Sequence, residues 1–306
     1  MIPSCLKTTA FILFNFSRTA MLPGLRKKRF RWIEQQVNKK EEKIGKTMTE
    51  FCKVEKRDRI LIVTINRPER LNALHPAANL ELAKVFDEYA ADDELWAAII
   101  TGEGRAFSAG NDLRWQAEGN VRPPMPLGFA GLTSRFDLIK PVIAAVNGVA
   151  MGGGFEIALA CDLIIASEKA VFALPEPKVG LAALAGGLNR LPRIIGSKRA
   201  LGMILTGRHV PAEEGQNLGF VNEVVPHEQV LGRAIEVANE ILTCSPLSIR
   251  ASKDAVYRSL DFASLEESMK DMRTEYSAVK KMAESEDFIE GPKAFAEKRL
   301  PNWKGR

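Results

Sequence analysis

An α/β fold is predicted by three features of the sequence: short apolar strands alternate with helix-period segments, glycines cluster where a strand hands over to a helix, and the pattern beyond Leu184 is mostly helical. "RILIVTINRP" (Arg59 to Pro68) reads as a strand closed by proline, and "WAAIITGEG" (Trp96 to Gly104) as one closed by glycines. Between them Ala78, Leu82, Val85 and Phe86 recur at helical spacing, giving strand, helix, strand. "PVIAAVNG" and "LIIASE" are two further short strands, with the helical part of "NGVAMGGGFEIALACD" (Asn147 to Asp162) between them. From Glu228 to Leu242, Val230, Leu231, Ala234, Ile235, Ala238, Ile241 and Leu242 share one face, and amphipathic patterns follow over 247–260 and 265–282.

These patterns divide the 306 residues into a basic leader over 1–47, an α/β core over 48–244 and a helical C-terminal subdomain over 245–306. Hydrophobic residues at 46% and charged residues at 26% place the chain among ordinary globular proteins and exclude collagen-like, disordered and multi-pass membrane classes. No apolar run reaches the roughly 18 residues a spanning helix needs, so no membrane insertion is expected. Cys5, Cys52, Cys161 and Cys244 are scattered without C-x-x-C spacing, which speaks against a zinc site or a disulfide framework and for a reducing compartment.

The net charge of +5 is unevenly placed. Residues 1–47 carry +8, including "RKKRFR" (Arg26 to Arg31), which leaves −3 for the remainder. Such a leader is compatible with a transit segment, a basic arm or translated upstream sequence, with Met48 as a second start. A cytoplasmic location is therefore expected, or the mitochondrial matrix if the leader is a transit peptide. Nucleic acid is expected to bind only through the leader, if at all.

Several chemistries are excluded by pattern. "GGGFEI" fails the dinucleotide fingerprint at Ile157, no nucleotide P-loop is present, and no G-x-S-x-G elbow presents a serine. His75, His209 and His227 lack metal-ligand spacing, so no metal is expected and the histidines read as structural. Carboxylates and backbone remain. Three glycines before a helix let its free N–H groups approach a ligand closely, where an oxygen gaining charge is stabilised by about 3 kcal/mol per aimed donor. The same glycines also serve a tight strand-to-helix crossing, and both readings stand here. "GRAFSAGNDL" (Gly104 to Leu113) has a similar form, with Asn111 or Asp112 as helix cap.

"FSAGNDL", "KPVIAAVNGVAMGGGFEIALACD" and "FALPEPKVGLAALAGGLNRLPR" together closely resemble the enoyl-CoA hydratase/isomerase (crotonase) family. The likeness runs from about residue 50 to the C-terminus and takes in "NRPERLNAL", "LTGRHVPAEEGQNLGFVNEVVP" and "EGPKAFAEKR". Within the family, "ALPEPKVG" and "RLPR" are most similar to carnitinyl-CoA dehydratase-type hydratases.

The resemblance implies a spiral of ββα units with a C-terminal helical subdomain that forms a homotrimer or a dimer of trimers. It implies an acyl-CoA thioester as substrate, with coenzyme A part of that substrate and no separate cofactor. The backbone N–H groups of Asn111 and Gly153 match the oxyanion-hole positions. Glu156 and Glu176 match the two glutamates of the hydratases, Glu156 toward water and Glu176 toward the α-carbon proton. Arg70, Ser108, Asp112, Leu113, Phe295 and Lys298 match positions on the coenzyme A side. An isomerase, which manages with one carboxylate, and an RNA- or CoA-binding relative with weak hydratase activity are the alternatives.

Two physical expectations accompany the resemblance. A helix N-terminus lowers the Glu156 pKa by less than a unit, whereas burial beside groups such as Phe155 raises it by up to about 3 to 5 units, so burial should win. "GLAALAGG" (Gly180 to Gly187) departs from the usual hydratase pattern, with Ala183 for a proline and Leu184 for a glycine, and Leu184 is expected to narrow or dry the pocket.

Overall fold

The computed structural model describes residues 45–306 apart from Arg122. The leader expected over 1–47 lies outside the described residues up to residue 44, and its last three residues run in the first strand. β1 (Gly45–Met48), β2 (Cys52–Arg57) and β3 (Ile60–Ile65) form an antiparallel meander. Helix α1 (Pro76–Ala91), capped by His75 and opened by Pro76, carries the chain back to β4 (Ala97–Gly102), parallel to β3.

A repeating step follows, in which one strand joins a large sheet, the next joins a small sheet and a helix returns. β4 is followed by β5 (Ala106–Ser108) and α2 (Leu113–Ala117); β6 (Val142–Val146) by β7 (Val149–Met151) and α3 (Gly153–Ala160); β8 (Leu163–Ser167) by β9 (Val171–Ala173), α4 (Gly187–Ile195) and α5 (Ser197–Thr206). β10 (Val210–Pro211), α6 (Ala212–Leu218), β11 (Glu223–Val225) and α7 (Val230–Leu242) complete the core. The large sheet has the order β1-β2-β3-β4-β6-β8-β11 and the small one β10-β9-β7-β5. This is the spiral of ββα units that the resemblance implies.

The continuous apolar strands follow from burial on both faces. Ile60, Ile62, Ile99, Ile143 and Ile165 pack with Val230, Ala234 and Ala238 of α7. The alternating Leu61, Val63, Ile100, Val146 and Ile164 turn the other way, into the main core with Leu82 and Phe86 of α1 and with Phe155 and Phe172. Apolar burial at about 25 cal/mol per Å² makes this double-sided core the main stabilising term.

Four further helices follow: α8 (Pro246–Ser259), α9 (Leu265–Thr274), α10 (Ser277–Ala283) and α11 (Glu286–Ala296). The region beyond Leu184 is mostly helical as expected, interrupted by the short strands Val210–Pro211 and Glu223–Val225, the latter parallel to β8 at the sheet edge. One expectation is corrected. The helix expected over 265–282 is two helices, since Tyr276 takes an extended conformation (φ −75°, ψ 109°), buries its side chain and starts a new helix, its carbonyl accepting from Val279 and Lys280. Burial of the aromatic ring there outweighs the periodicity. Among the described residues, no helix is long and apolar enough to cross a membrane.

Candidate active site

β5, β7 and β9 are parallel neighbours in the small sheet, so their C-terminal ends deliver three loops to one edge. Those loops carry Gly110 and Asn111, Gly152 and Gly153, and Glu176. The Gly152 N–H donates to the Ala173 carbonyl at 2.9 Å, joining the second loop to the third. A methyl on Gly110 (φ +82°) would lie 2.6 Å from the Gly153 nitrogen, and one on Gly154 would lie 2.0 Å from the Ser108 carbonyl oxygen. Backbone therefore rests on backbone, which only glycine permits. The two glycine-containing turns are in direct contact.

Helix α3 opens on Gly153, and its first intrahelical bond runs from the Glu156 N–H to the Gly152 carbonyl at 2.9 Å. The N–H groups of Gly153 and Gly154 precede that bond and project from the positive end of the helix. The Phe129 ring lies on the Gly153 backbone, where a methyl would meet it at 2.9 Å. Beside Gly153, Asn111 is fixed by its bridge to Leu74, with Leu74 N–H donating to Gly110 at 2.7 Å and Asp112 N–H to Leu74 at 3.3 Å.

Glu156 is 2% exposed, and its Oε1 accepts from the Gly187 N–H at 2.9 Å. Burial is the main cause that pushes its carboxyl up to about 7; the charge of Glu176 adds to it, against the Gly187 hydrogen bond. Burial thus outweighs the helix terminus, as expected. Glu176 opens the 3-10 turn Glu176–Val179 and is half-buried, and burial raises its carboxyl too. Its Oε1 would lie 2.8 Å from a methyl on Gly152, and its buried Oε2 has no hydrogen-bond partner among the described residues. An unpaired buried oxygen of this kind is costly, which marks it as a candidate for meeting a reacting group. Two carboxyl groups and the start of α3 are thereby gathered at one place.

The other predicted positions separate. Ser108 is fully buried, its hydroxyl donating to the Asn72 carbonyl at 2.8 Å and accepting from the Gly110 N–H at 3.1 Å. Asp112 is also buried, accepts from the Trp115 N–H at 3.2 Å as the cap of α2, and pairs with Arg67 at 3.1 Å. Both side chains are engaged in building the turn that the resemblance places on the coenzyme A side, so the turn offers a ligand its backbone at these two positions. Arg70, Leu113, Phe295 and Lys298 are exposed and stand at some remove in the chain from the two carboxylates. Leu184 does not fill the pocket as expected. It turns outward at 80% exposure, while Ala183 goes inward against Gly187.

The Gly187 N–H was not among the residues foreseen. Its signal is the "AGG" at Ala185 to Gly187, a second glycine-led helix start facing the first. Two of the histidines have structural roles: Nδ1 of His75 accepts from the Ala78 N–H at 3.4 Å, and Nδ1 of His227 meets Ser167 Oγ at 3.1 Å. Among the described residues no group of three or more His, Cys, Asp or Glu is arranged to hold a metal.

Comparisons with known proteins identify the family. The family model described as Enoyl-CoA hydratase/isomerase matches residues 55–306. A carnitinyl-CoA dehydratase of Citrobacter koseri is 46% identical over 253 residues, covering 81% of this chain and 95% of that protein. A carnitinyl-CoA dehydratase of Escherichia coli K12 is 44% identical over 266 residues, covering 85% and 100%. The crystal structure of an enoyl-CoA hydratase from Mycobacterium tuberculosis H37Rv superposes with a TM-score of 0.78 at 40% identity, covering 84% of this chain and 100% of that one. A carnitinyl-CoA hydratase from Mycobacterium avium does so with a TM-score of 0.66 at 41% identity, covering 85% and 100%.

Proposed function

This chain belongs to the enoyl-CoA hydratase/isomerase family, and from that premise we propose that it adds water to the double bond of a 2-enoyl-CoA and, in reverse, dehydrates a 3-hydroxyacyl-CoA. The observation that carries this reading is the pair of carboxyl groups at the start of α3, one buried and titrating at about 7, the other with a buried unpaired oxygen. Adding water needs one group to take a proton from water and one to give a proton to the α-carbon. The thioester oxygen faces the N–H groups of Asn111 and Gly153, which stabilise the enolate. Glu156 takes the proton of water as its oxygen bonds to the β-carbon, and Glu176 protonates the α-carbon.

The pair works with one proton between its two members. That proton rests on Glu156, the more deeply buried of the two, whose carboxyl burial and the neighbouring charge of Glu176 push up to about 7. This is the arrangement dehydration starts from: Glu176 removes the α-proton and Glu156 protonates the departing hydroxyl. The relatives named carnitinyl-CoA dehydratase favour a carnitinyl-CoA-type substrate in that direction. Coenzyme A enters as part of the substrate, along the Arg70 and Leu113 surface. Assembly as a trimer or dimer of trimers is supported by exposed apolar residues on the C-terminal helices, among them Leu265, Ile289 and Phe295, which bring Phe295 and Lys298 toward a neighbouring site.

The test is an absorbance assay with 2-enoyl-CoAs, 3-enoyl-CoAs and carnitinyl-CoA, run on the wild type, Glu156→Gln and Glu176→Gln. Hydration should fall by roughly 10²- to 10⁴-fold in each variant while thioester binding persists. Conversion of 3-enoyl-CoA that survives in one of them would move the reading to an isomerase.

A further inference from the structure

Arg190 lies on α4, whose first residue, Gly187, donates to Glu156. Its Nη2 donates to the Thr133 carbonyl at 2.9 Å and its Nη1 to the Ala185 carbonyl at 3.5 Å. The guanidinium rests on Gly186, where a methyl would meet Nη1 at 2.0 Å; Gly186 has φ +108°, and its carbonyl accepts from the Arg190 N–H at 2.8 Å. One side chain thus clamps both residues before Gly187 and ties them to the segment that brings Phe129 onto Gly153. Among the described residues no carboxylate forms an ion pair with this half-buried cation.

We propose that Arg190 is a positioning residue for the reaction: by bridging Ala185, Gly186 and Thr133 it holds the Gly187 N–H on Glu156 and keeps the two helix starts in register. This rests on the reading of Glu156 as a reacting carboxyl. A guanidinium suits the task because its planar fork reaches two carbonyls on separate segments at once, which an ammonium cannot do with the same geometry. Its charge has a second consequence. It favours the ionised form of Glu156, against the charge of Glu176, and Glu156 in turn favours the charged form of Arg190. The other titratable groups acting on the guanidinium are Tyr257 of α8, Cys161 just after α3, and Arg193 on its own helix.

The test compares Arg190→Met, Arg190→Lys and Glu156→Gln by pH–rate profile, KM and thermal unfolding. In Arg190→Met we expect kcat to fall about 10- to 100-fold, with KM within about threefold. We also expect the alkaline limb to move to higher pH by roughly half a unit or more. Arg190→Lys should restore the limb and only part of kcat. A folded Arg190→Met with the wild-type profile overturns the proposal, as does a loss of kcat that follows only the fraction unfolded while both limbs stay in place. If Glu156→Gln keeps full activity, the reading of Glu156 fails instead. If Glu156→Gln is inactive and Arg190→Met behaves as wild type, only the role of Arg190 is lost.

Discussion

Gly187 donates its N–H to Oε1 of Glu156 at 2.9 Å, so the first residue of α4 grips the carboxylate borne by the first turn of α3. That bond, with weaker contributions from the Ala185 backbone and the Arg190 charge, is what the described structure gives the Glu156 carboxyl in exchange for the water lost at 2% exposure. It is too little, and the carboxyl holds its proton up to about 7.

Stability should therefore rise in Glu156→Gln. The unfolded chain gives up this proton near 4.5 and the folded chain near 7, so between these values the native state binds more protons and stability falls as pH rises. Above 7 the full cost is present, roughly 3 kcal/mol. The glutamine keeps an oxygen for Gly187 and carries no charge. Denaturant unfolding should show the variant more stable at pH 8, with the gain shrinking by pH 5. An equal gain at both values would mean that ionisation is not its source.

The rate should describe a bell in both directions, because the pair works with one proton. Its alkaline limb should fall near 7, where Glu156 loses that proton, and its acid limb lower but above the ordinary carboxylate value, where Glu176 gains one. Replacing Glu176 with glutamine removes a like charge, so the residual alkaline limb should move to lower pH. Because burial is the larger cause, the displacement should be well short of a return to 4.5. An alkaline limb unmoved in Glu176→Gln would show that the two carboxyls do not sense one another.

Gly152 and Gly202 should answer oppositely to alanine. At Gly152 (φ +52°) the new methyl would stand 2.8 Å from Oε1 of Glu176, in a backbone conformation L-residues avoid. A cost of about 1 to 2 kcal/mol in stability is expected, with a larger proportional loss of turnover as the carboxyl is pushed aside. At Gly202, within α5, a methyl meets nothing within 4 Å, and the substitution should stabilise by about 0.5 to 1 kcal/mol. Comparable effects at the two sites would contradict the close packing of Gly152 on Glu176.

The contrast between these glycines also explains what the sequence could disclose. β3, β4, β6 and β8 were legible because burial on both faces makes them continuous apolar runs. β5, β7 and β9 were not, since each has three residues and its pairing is decided by the sheet it joins. Yet that small sheet brings Asn111, Gly153 and Glu176 to one edge. The residue types at the site were therefore readable through the family resemblance, while their convergence depended on strands too short to signal themselves. Gly187 and Arg190 escaped for a related reason. Each acts through its backbone or on another segment's carbonyls, contacts that leave no periodic trace.

The C-terminal helices should loosen when Asp162 is removed. Its Oδ2 accepts from the Val142 N–H at 2.7 Å and from Lys253 at 2.8 Å, and its Oδ1 accepts from the Tyr257 hydroxyl at 3.1 Å. Lys253 also donates to the Lys140 carbonyl at 2.8 Å, so α8 is tied to β6 and to the end of α3 through one carboxylate. With side-chain exposures of 15% and 17%, the ion pair is screened only in part, and alanine takes the counter-charge from Lys253 and leaves the Val142 N–H without its acceptor. A loss of about 2 to 4 kcal/mol is expected for Asp162→Ala. Asparagine, which still accepts from Val142, should lose less. Amide exchange should locate the damage in α8 before it reaches β3 and β4, because the core strands are held by apolar burial that Asp162 does not touch. Uniform exchange across the chain would instead mean that α8 and the core unfold together, and that this carboxylate is not the joint between them.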